Sequence, residues 1–521
     1  MNSPKTQMPD AEICSGFSVL RSFKMMMLQP AHPAYAYLIR FSCWRQNRLK
    51  CKICFGGIRM KKQLNRSELL GSLPVKRAVL MQILPAIASQ MVALAYGIAD
   101  TYFVGLLNDP DKTAAVTVAN AAFLMLTALS NLFGIGGASL IARLLGAGKP
   151  DKAREVSVFC FYGGLLSAAV FGAAVGLFNE RILLLCGARG MTLEYAKGYV
   201  FYTLTLGAVP TVLTTLLTNL VRSEGAAAAA SFGAILGCIV NIALDPIFVL
   251  PWGLNMGAAG AGAATAISNA VGLAFFICYI IKQRGKTVLG LNPALLSHSR
   301  EHAGAVLRIG APSALQYALT VVAVSAQMNF VAKYGNEAVA AVGITKKLDQ
   351  LPLFFSIGVA NGMLPLIGYN YAAKKFKRTE DSFRFGCIIS LSFALFCVVI
   401  YEIFAPGLAS LFIKNEVTVK YAAAFLRRMV LAMPLMSLCY PLIIKFQAMG
   451  KAKESITVSI LRKGVLDIPL YFMMDALFPL YGCMWVQPIV DTLSLGVAAV
   501  LNRRIVRHDE STRLEAEKNA E

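Results

Sequence analysis

What this sequence has little of is charge. Only 15% of its 521 residues are Asp, Glu, Lys or Arg, against about 25% in soluble domains. A chain this poor in charge and 57% apolar does not have water as its main solvent. Histidine is scarce too. His32, His298, His302 and His508 are the whole complement, and all four fall outside the apolar stretches, so no histidine proton relay or metal site is available at membrane depth. The absence of a Walker A pattern argues against ATP hydrolysis by this chain. Without a D-D-x-x-D cluster to hold a metal diphosphate, a membrane prenyl or glycosyl transferase is equally disfavoured. Cys51 and Cys54 form a lone C-x-x-C with no second pair and no nearby histidine, which does not make a zinc site. Cys160, Cys238, Cys278, Cys387, Cys397 and Cys439 lie inside apolar segments and read as small packing residues.

What is present is apolar sequence almost end to end from Ala78, with a mean hydropathy of +0.60. A spanning helix needs about 20 such residues. The pattern predicts an all-α integral membrane protein with spans centred on Val92, Ala128, Gly164, Leu206, Ile239, Ile267, Val322, Ile357, Leu395, Met433, Ile468 and Leu493. The formal net charge of +22 would suit nucleic acid if it formed a basic domain, but it is spread over loops. One alternate set of loops holds Arg143, Lys149, Lys152 and Arg154, then Lys282, Arg284 and Lys286, then Lys374, Lys375, Lys377 and Arg378, and finally Lys451, Lys453, Arg503, Arg504 and Arg507. The other set, around 108–111, 251–254, 333–337 and 478–481, holds few cations. This positive-inside bias predicts a multi-pass plasma-membrane protein with both termini in the cytoplasm, whose partner is the lipid bilayer and not nucleic acid.

Residues 1–59 are basic and irregular and make a poor signal peptide, because Pro30, His32 and Pro33 interrupt the apolar run after Met25. Met60 is the expected start, with an ordered regulatory extension as the competing reading. Beyond it the chain repeats itself at an offset of roughly 225 residues. Phe103-Val104 recurs as Phe330-Val331, Ala114-Ala115-Val116 as Ala340-Ala341-Val342, Gly134 as Gly358, and Leu244-Asp245 as Leu466-Asp467. Two lobes are therefore expected, over 60–282 and 305–506, with a linker at 283–304 and a polar tail at 507–521. A six-span unit returns to the side where it began, so the lobes are related by a pseudo-twofold axis along the membrane normal and enclose a central cavity.

Ionisable and amide groups inside a span are costly and are functional candidates by default. In the first half, Tyr96 and Asp100 sit at i and i+4 on helix 1, with Pro85 upstream as a bend, and Asn241 and Asp245 repeat that spacing on helix 5, just before Pro246. Two carboxylates and an amide on faces that share one desolvated space suit a site that exchanges a proton or holds Na⁺. The alternative is that Asp100 and Asp245 merely cap helix ends. In the second half Asn241 aligns with Lys463 and Asp245 with Asp467, predicting an intrahelical ion pair or, as a second reading, an anionic contact for a cationic cargo. Gln316, Gln327, Asn361 and Gln487 are further candidates to line a cavity, and the 20 methionines supply thioethers suited to a promiscuous apolar site.

The segments YGIADTYFVG, NLVRSEG, VNIALDPIF, GMLPLIGYNYAAKK and FQAMGKAK resemble the MATE (multidrug and toxic compound extrusion) family, over essentially all of Leu69 to Val506. The resemblance implies twelve helices in two six-helix lobes and export of amphipathic, often cationic compounds, driven by H⁺ or Na⁺ entry with no other cofactor, by a bacterial inner-membrane monomer. Carried over residue by residue, it places Asp100, Asn241, Asp245 and Tyr96 in the N-lobe ion pocket of DinF-like and MepA-like members, Thr265 at the pocket threonine and Pro85 at the hinge proline. The helix 7 glutamate of the NorM-like branch has no counterpart in APSALQYALTVVAVSAQMNF. A flippase of lipid-linked glycans on the same fold is the alternative, kept open by Arg427, Arg428, Arg462 and Lys463.

Overall fold

In hydrocarbon no water satisfies backbone N–H and C=O groups, so each spanning segment must close its own hydrogen bonds, as helices do. The computed structural model describes residues 66–518 apart from 108 and 186, and every element among the described residues is helical. The 1–59 segment, the Cys51 and Cys54 motif and the expected start at Met60 lie outside the described residues. A short lead helix, Arg66–Gly71, precedes the spans. The first half comprises α1 (Val75–Gly105), α2 (Pro110–Gly146), α3 (Pro150–Leu185), α4 (Gly190–Leu206 with Ala208–Ser223), α5 (Ala227–Val249) and α6 (Ala258–Lys282). The second comprises α7 (Ala303–Ala332), α8 (Asn336–Ala372), α9 (Phe376–Ser410), α10 (Glu416–Met429 with Met433–Ala448), α11 (Ala452–Ile460 with Asp467–Leu477) and α12 (Gly482–Lys518).

Among the described residues ten helices are long and apolar enough to cross a membrane, and the bent α4 makes an eleventh. The twelfth is α11, interrupted by a π turn at Leu461–Val465 that carries Arg462 and Lys463. The fourth helix of each half changes its winding near the middle, and in the first half it also breaks. In α4 the pieces meet at 52° across Gly207, after a π turn at Phe201–Leu206 and before Pro210, whose missing N–H suits the first turn of the second piece. In α10 a 3₁₀ turn at Val430–Ala432 precedes Pro434 at the start of the second piece. The polar residues after Val506 are helical and continue α12 to Lys518, in a stretch that has no Gly or Pro to end the helix. The linker is docked: Gly290 donates to Ser157 Oγ at 3.0 Å, and His302 Nε2 lies 3.1 Å from Glu155 Oε2 of α3.

The halves meet through α2 against α7 and α8, and α1 against α8. Since the helices alternate in direction, the residues involved share one end of the molecule, where α1 begins and α12 leaves the bundle. One apolar cluster there takes Ile83 and Ile87 from α1, Ile135 and Ala138 from α2, Val359 to Ile367 from α8, and Cys439 and Ile443 from α10. Toward the opposite end the buried clusters separate by lobe: one is drawn wholly from α1 to α6, and two wholly from the second half. The lobes are thus joined at one end and parted at the other. Glycine permits the joined end. A Cβ on Gly310 would run into the Leu132 carbonyl, and one on Gly362 would sit 2.7 Å from Ile83 Cα. The lead helix adds polar ties to both lobes. Arg66 pairs with the buried Glu224 at 2.6 Å, while the Leu70 and Gly71 carbonyls accept from Asn370 and Lys375, each at 2.9 Å.

Gly310→Leu should therefore wedge the joined end apart, lowering thermal stability by about 1–3 kcal/mol and abolishing transport. The buried Cys439 reports the opening. Peptide-resolved maleimide labelling should find it protected in the natural sequence and reactive in Gly310→Leu; equal protection in both would show that this contact does not hold the end shut.

Candidate functional site

Helical spacing puts Tyr96 and Asp100 on one face of α1, and Asn241 and Asp245 on one face of α5. The two faces meet, with α6 closing the third side. Asp245 is fully buried, Asn241 and Thr265 nearly so, and Asp100 is 9% exposed. Asn241 Nδ2 donates to Thr265 Oγ1 at 3.2 Å, and the Tyr96 hydroxyl lies 3.5 Å from the same oxygen. With the Asn241 amide turned to satisfy both its ends, it donates to Asp245 Oδ2 at 2.8 Å and accepts from the Thr265 N–H at 3.2 Å. All five N-lobe residues singled out from the sequence thus occupy one pocket.

Both carboxylates stand near the C-terminal ends of their helices, but they are buried and do not face water. Asp100 lies inside α1 and Asp245 inside α5, which continues past Pro246 to Val249, so capping does not account for them. The charges of Asp100 and Asp245 act on each other and on Tyr96 and Tyr199. Oδ1 of each carboxylate is buried without a hydrogen-bond partner, and among the described residues neither forms an ion pair within 4 Å. Such oxygens are ready acceptors for a proton or a small cation. Tyr199 on α4 was missed in the sequence because it stands next to the π turn, where spacing does not predict the facing side. Pro85 lies within α1, which runs through it as one helix.

The corresponding place in the C-lobe is built differently. Arg462 Nε donates to Asp491 Oδ1 at 2.6 Å, Gln487 Nε2 to Asp491 Oδ2 at 2.9 Å, and Lys463 Nζ to Gln487 Oε1 at 2.9 Å. The guanidinium of Arg462 also lies over the Tyr440 ring, 4.5 Å from its centroid. The expected Lys463 and Asp467 pair is present only at 3.9 Å, and Gln487 is the closer partner of the lysine. The cause is the π turn, whose wider winding carries Lys463 away from the α-helical i to i+4 position. Both Asp467 oxygens are buried without a hydrogen bond. Gln316 and Gln327 are buried and Asn361 partly so, but no side-chain hydrogen bond joins them to this network.

Sequence reasoning also missed Lys346, Lys347, Asp349 and Asp491. The run TKKLDQ falls inside the 37-residue α8, well before the centre expected at Ile357. A span longer than the bilayer requires was the signal that these charges are internal. Of the cations that kept a flippase in view, Arg462 is matched by Asp491, Arg428 lies 4.3 Å from the centroid of the Tyr481 ring, and Arg427 approaches Glu402 at 3.8 Å while lining a cavity with Lys414, Lys420 and Glu416.

Comparison with known proteins agrees with this geometry. The MatE family profile matches residues 85–247 and 312–473, one copy in each lobe. The multidrug export protein MepA of Staphylococcus aureus is 32% identical over 430 residues, covering 82% of this chain and 93% of that one. The MepA protein of Staphylococcus saprophyticus is 31% identical over 419 residues, 80% and 91% of the two chains. Among solved structures, the outward-facing conformation of a multidrug resistance MATE family transporter of the MOP superfamily superposes with a TM-score of 0.80 at 24% identity, covering 87% of this chain and all of that one. With two copies of the family repeat folded as twelve helices in two lobes, this chain belongs to the MatE family and is a multi-pass membrane transporter, not an enzyme.

Proposed function

We propose that the protein exports amphipathic, often cationic compounds in exchange for H⁺ or Na⁺ by alternating access. The observation that carries the reading is the pair of buried N-lobe carboxylates with unpartnered oxygens, set in a molecule whose lobes join at only one end. Two ionised carboxylates side by side in a medium of low dielectric repel one another and lack water, so the pocket gains from taking up positive charge. Either a coupling ion or a cationic cargo meets that need, and competition between them for the same carboxylates makes the exchange obligatory. Entry of the ion discharges the pocket and relaxes Tyr96, Asn241 and Thr265 around it, with Pro85 as the hinge on α1. The joined end then opens while the parted end closes.

The charge bias of the loops supports the orientation. The joined end carries the basic loops and both ends of the bundle, so it faces the cytoplasm and the arrangement described is open to the outside. The relatives named as multidrug exporters support the cargo class, and their hosts support a bacterial plasma membrane. Each molecule contains both lobes and hence a complete pocket, so a monomer suffices. The C-lobe acids serve cargo contact and structure, Asp467 being the member left without a hydrogen bond.

Asp100→Asn and Asp245→Asn should each abolish efflux of an organic cation from a drug-sensitive host while leaving the protein in the membrane, measured by dye accumulation alongside immunoblotting of membranes. Full efflux in both variants would remove the ion-site assignment. Thr265→Ala should retain partial activity, about tenfold reduced, because it loses hydrogen bonds but no charge. In proteoliposomes, an imposed pH gradient or an imposed Na⁺ gradient should by itself drive uptake of a fluorescent organic cation. Uptake under neither gradient would overturn antiport.

A further inference from the structure

Two adjacent lysines on α8 serve different lobes. Successive residues on a helix point about 100° apart, and Lys346 and Lys347 divide accordingly. Lys346 acts on Asp349 and Asp467 within its own lobe. Lys347 faces the other way: its Nζ lies 3.4 Å from Thr101 Oγ1 on α1, and its charge acts on Asp100, the residue before that threonine. Since α8 belongs to the C-lobe, the side chain crosses from one lobe to the exposed Thr101 at the edge of the other's pocket. Neither Asp100 nor Asp245 has a cation from its own lobe within ion-pair distance among the described residues. Lys347 is the cationic side chain whose charge reaches the pocket.

We propose that Lys347 is the built-in counter-cation of the N-lobe acid pocket, and that it sets how much positive charge a bound ion or cargo brings. This rests on the reading of that pocket as a cation site. Two ionised carboxylates call for two positive charges. The lysine supplies one from a distance, so a single proton, Na⁺ or monovalent organic cation completes neutrality. A divalent cation overfills the pocket and is repelled by the lysine twice over. A unit charge about 10 Å away, at an effective dielectric constant of about 20, changes the binding of each further unit charge by roughly tenfold. The lysine thereby selects for cargo valence, and it makes the pocket's affinity depend on lobe separation, because it moves with the C-lobe.

The test is equilibrium binding to the purified full chain in lipid nanodiscs, with tetraphenylphosphonium as the monovalent probe and methyl viologen as the divalent one. Lys347→Met keeps an unbranched apolar stem and removes the charge, whereas Lys347→Arg keeps the charge. In Lys347→Met the ratio of divalent to monovalent affinity should rise by about tenfold, and in Lys347→Arg it should return to that of the natural sequence. The ratio is internal to each variant, so a partly unfolded sample does not mimic the effect. An unchanged ratio in Lys347→Met, or the same rise in Lys347→Arg, would overturn the proposal. Asp100→Asn separates the layers. If it weakens both probes while Lys347→Met leaves the ratio alone, the pocket stands and Lys347 falls; if it leaves both probes unaffected, the pocket is not the cation site and both readings fall.

Discussion

Lipid offers apolar helices no hydrophobic reason to associate, so what holds two lobes together in a membrane is close packing and hydrogen bonding between helix backbones and side chains. Here the close packing is confined to one end, with the Lys347 to Thr101 contact a single side-chain bridge away from it. α1 and α2 approach α7 and α8 closely enough that a Cβ at Gly310 would strike a facing carbonyl and one at Gly362 would crowd a facing Cα. Gln447 bonds Ser313 at 3.0 Å and accepts from Ser139 of the other lobe through its carbonyl. An interface of this kind is either engaged or not, because packed helices do not deform continuously. Confining it to one end leaves the other end free to form a cleft, and the pocket is placed where lobe motion changes its surroundings.

The duplication preserved this scaffold while the side chains diverged. At matching positions of the fifth and eleventh helices stand Asn241 with Asp245, and Lys463 with Asp467. In the N-lobe no neighbouring cation within 4 Å balances the acids, an arrangement whose cost in a low dielectric is tolerated where a mobile ion supplies the balance. In the C-lobe Arg462 is matched to Asp491 at 2.6 Å with the partly buried Tyr440 ring beneath it, and Gln487 links that pair to Lys463. Fixed partners hold Asp491 there, while Asp467 is left without a hydrogen bond. The consequence is one lobe suited to exchange and another suited to holding its shape.

Much of this was legible in the chain. Apolar length and loop charge mark out the spans, and the internal repeat marks out the lobes. The i and i+4 spacing of Tyr96 with Asp100 and of Asn241 with Asp245 leads to the pocket, because an α-helix turns spacing into a shared face. Where the winding is not α the inference fails. The π turn in α11 displaces Lys463 from Asp467, and the π turn in α4 hides Tyr199. Charges can also be concealed by helix length: Lys346, Lys347 and Asp349 lie well before the span centre expected at Ile357, yet inside α8, which runs from Asn336 to Ala372. Contacts between distant parts of the chain, such as Arg66 with Glu224 inside the first half or Lys347 with Thr101 between the lobes, join residues more than 150 positions apart, and no local pattern announces them.

The central claim, that cargo and coupling ion exchange at one asymmetric N-lobe pocket, is tested most directly by counting the ions displaced. Purified protein in weakly buffered detergent solution is mixed with a saturating, non-titratable organic cation, and proton or Na⁺ release is followed with a pH dye and an ion-selective electrode. The account predicts release close to one ion per protein, lost in Asp245→Asn and retained in Asp467→Asn. Release that survives Asp245→Asn but vanishes in Asp467→Asn would contradict it, by placing the exchange in the C-lobe.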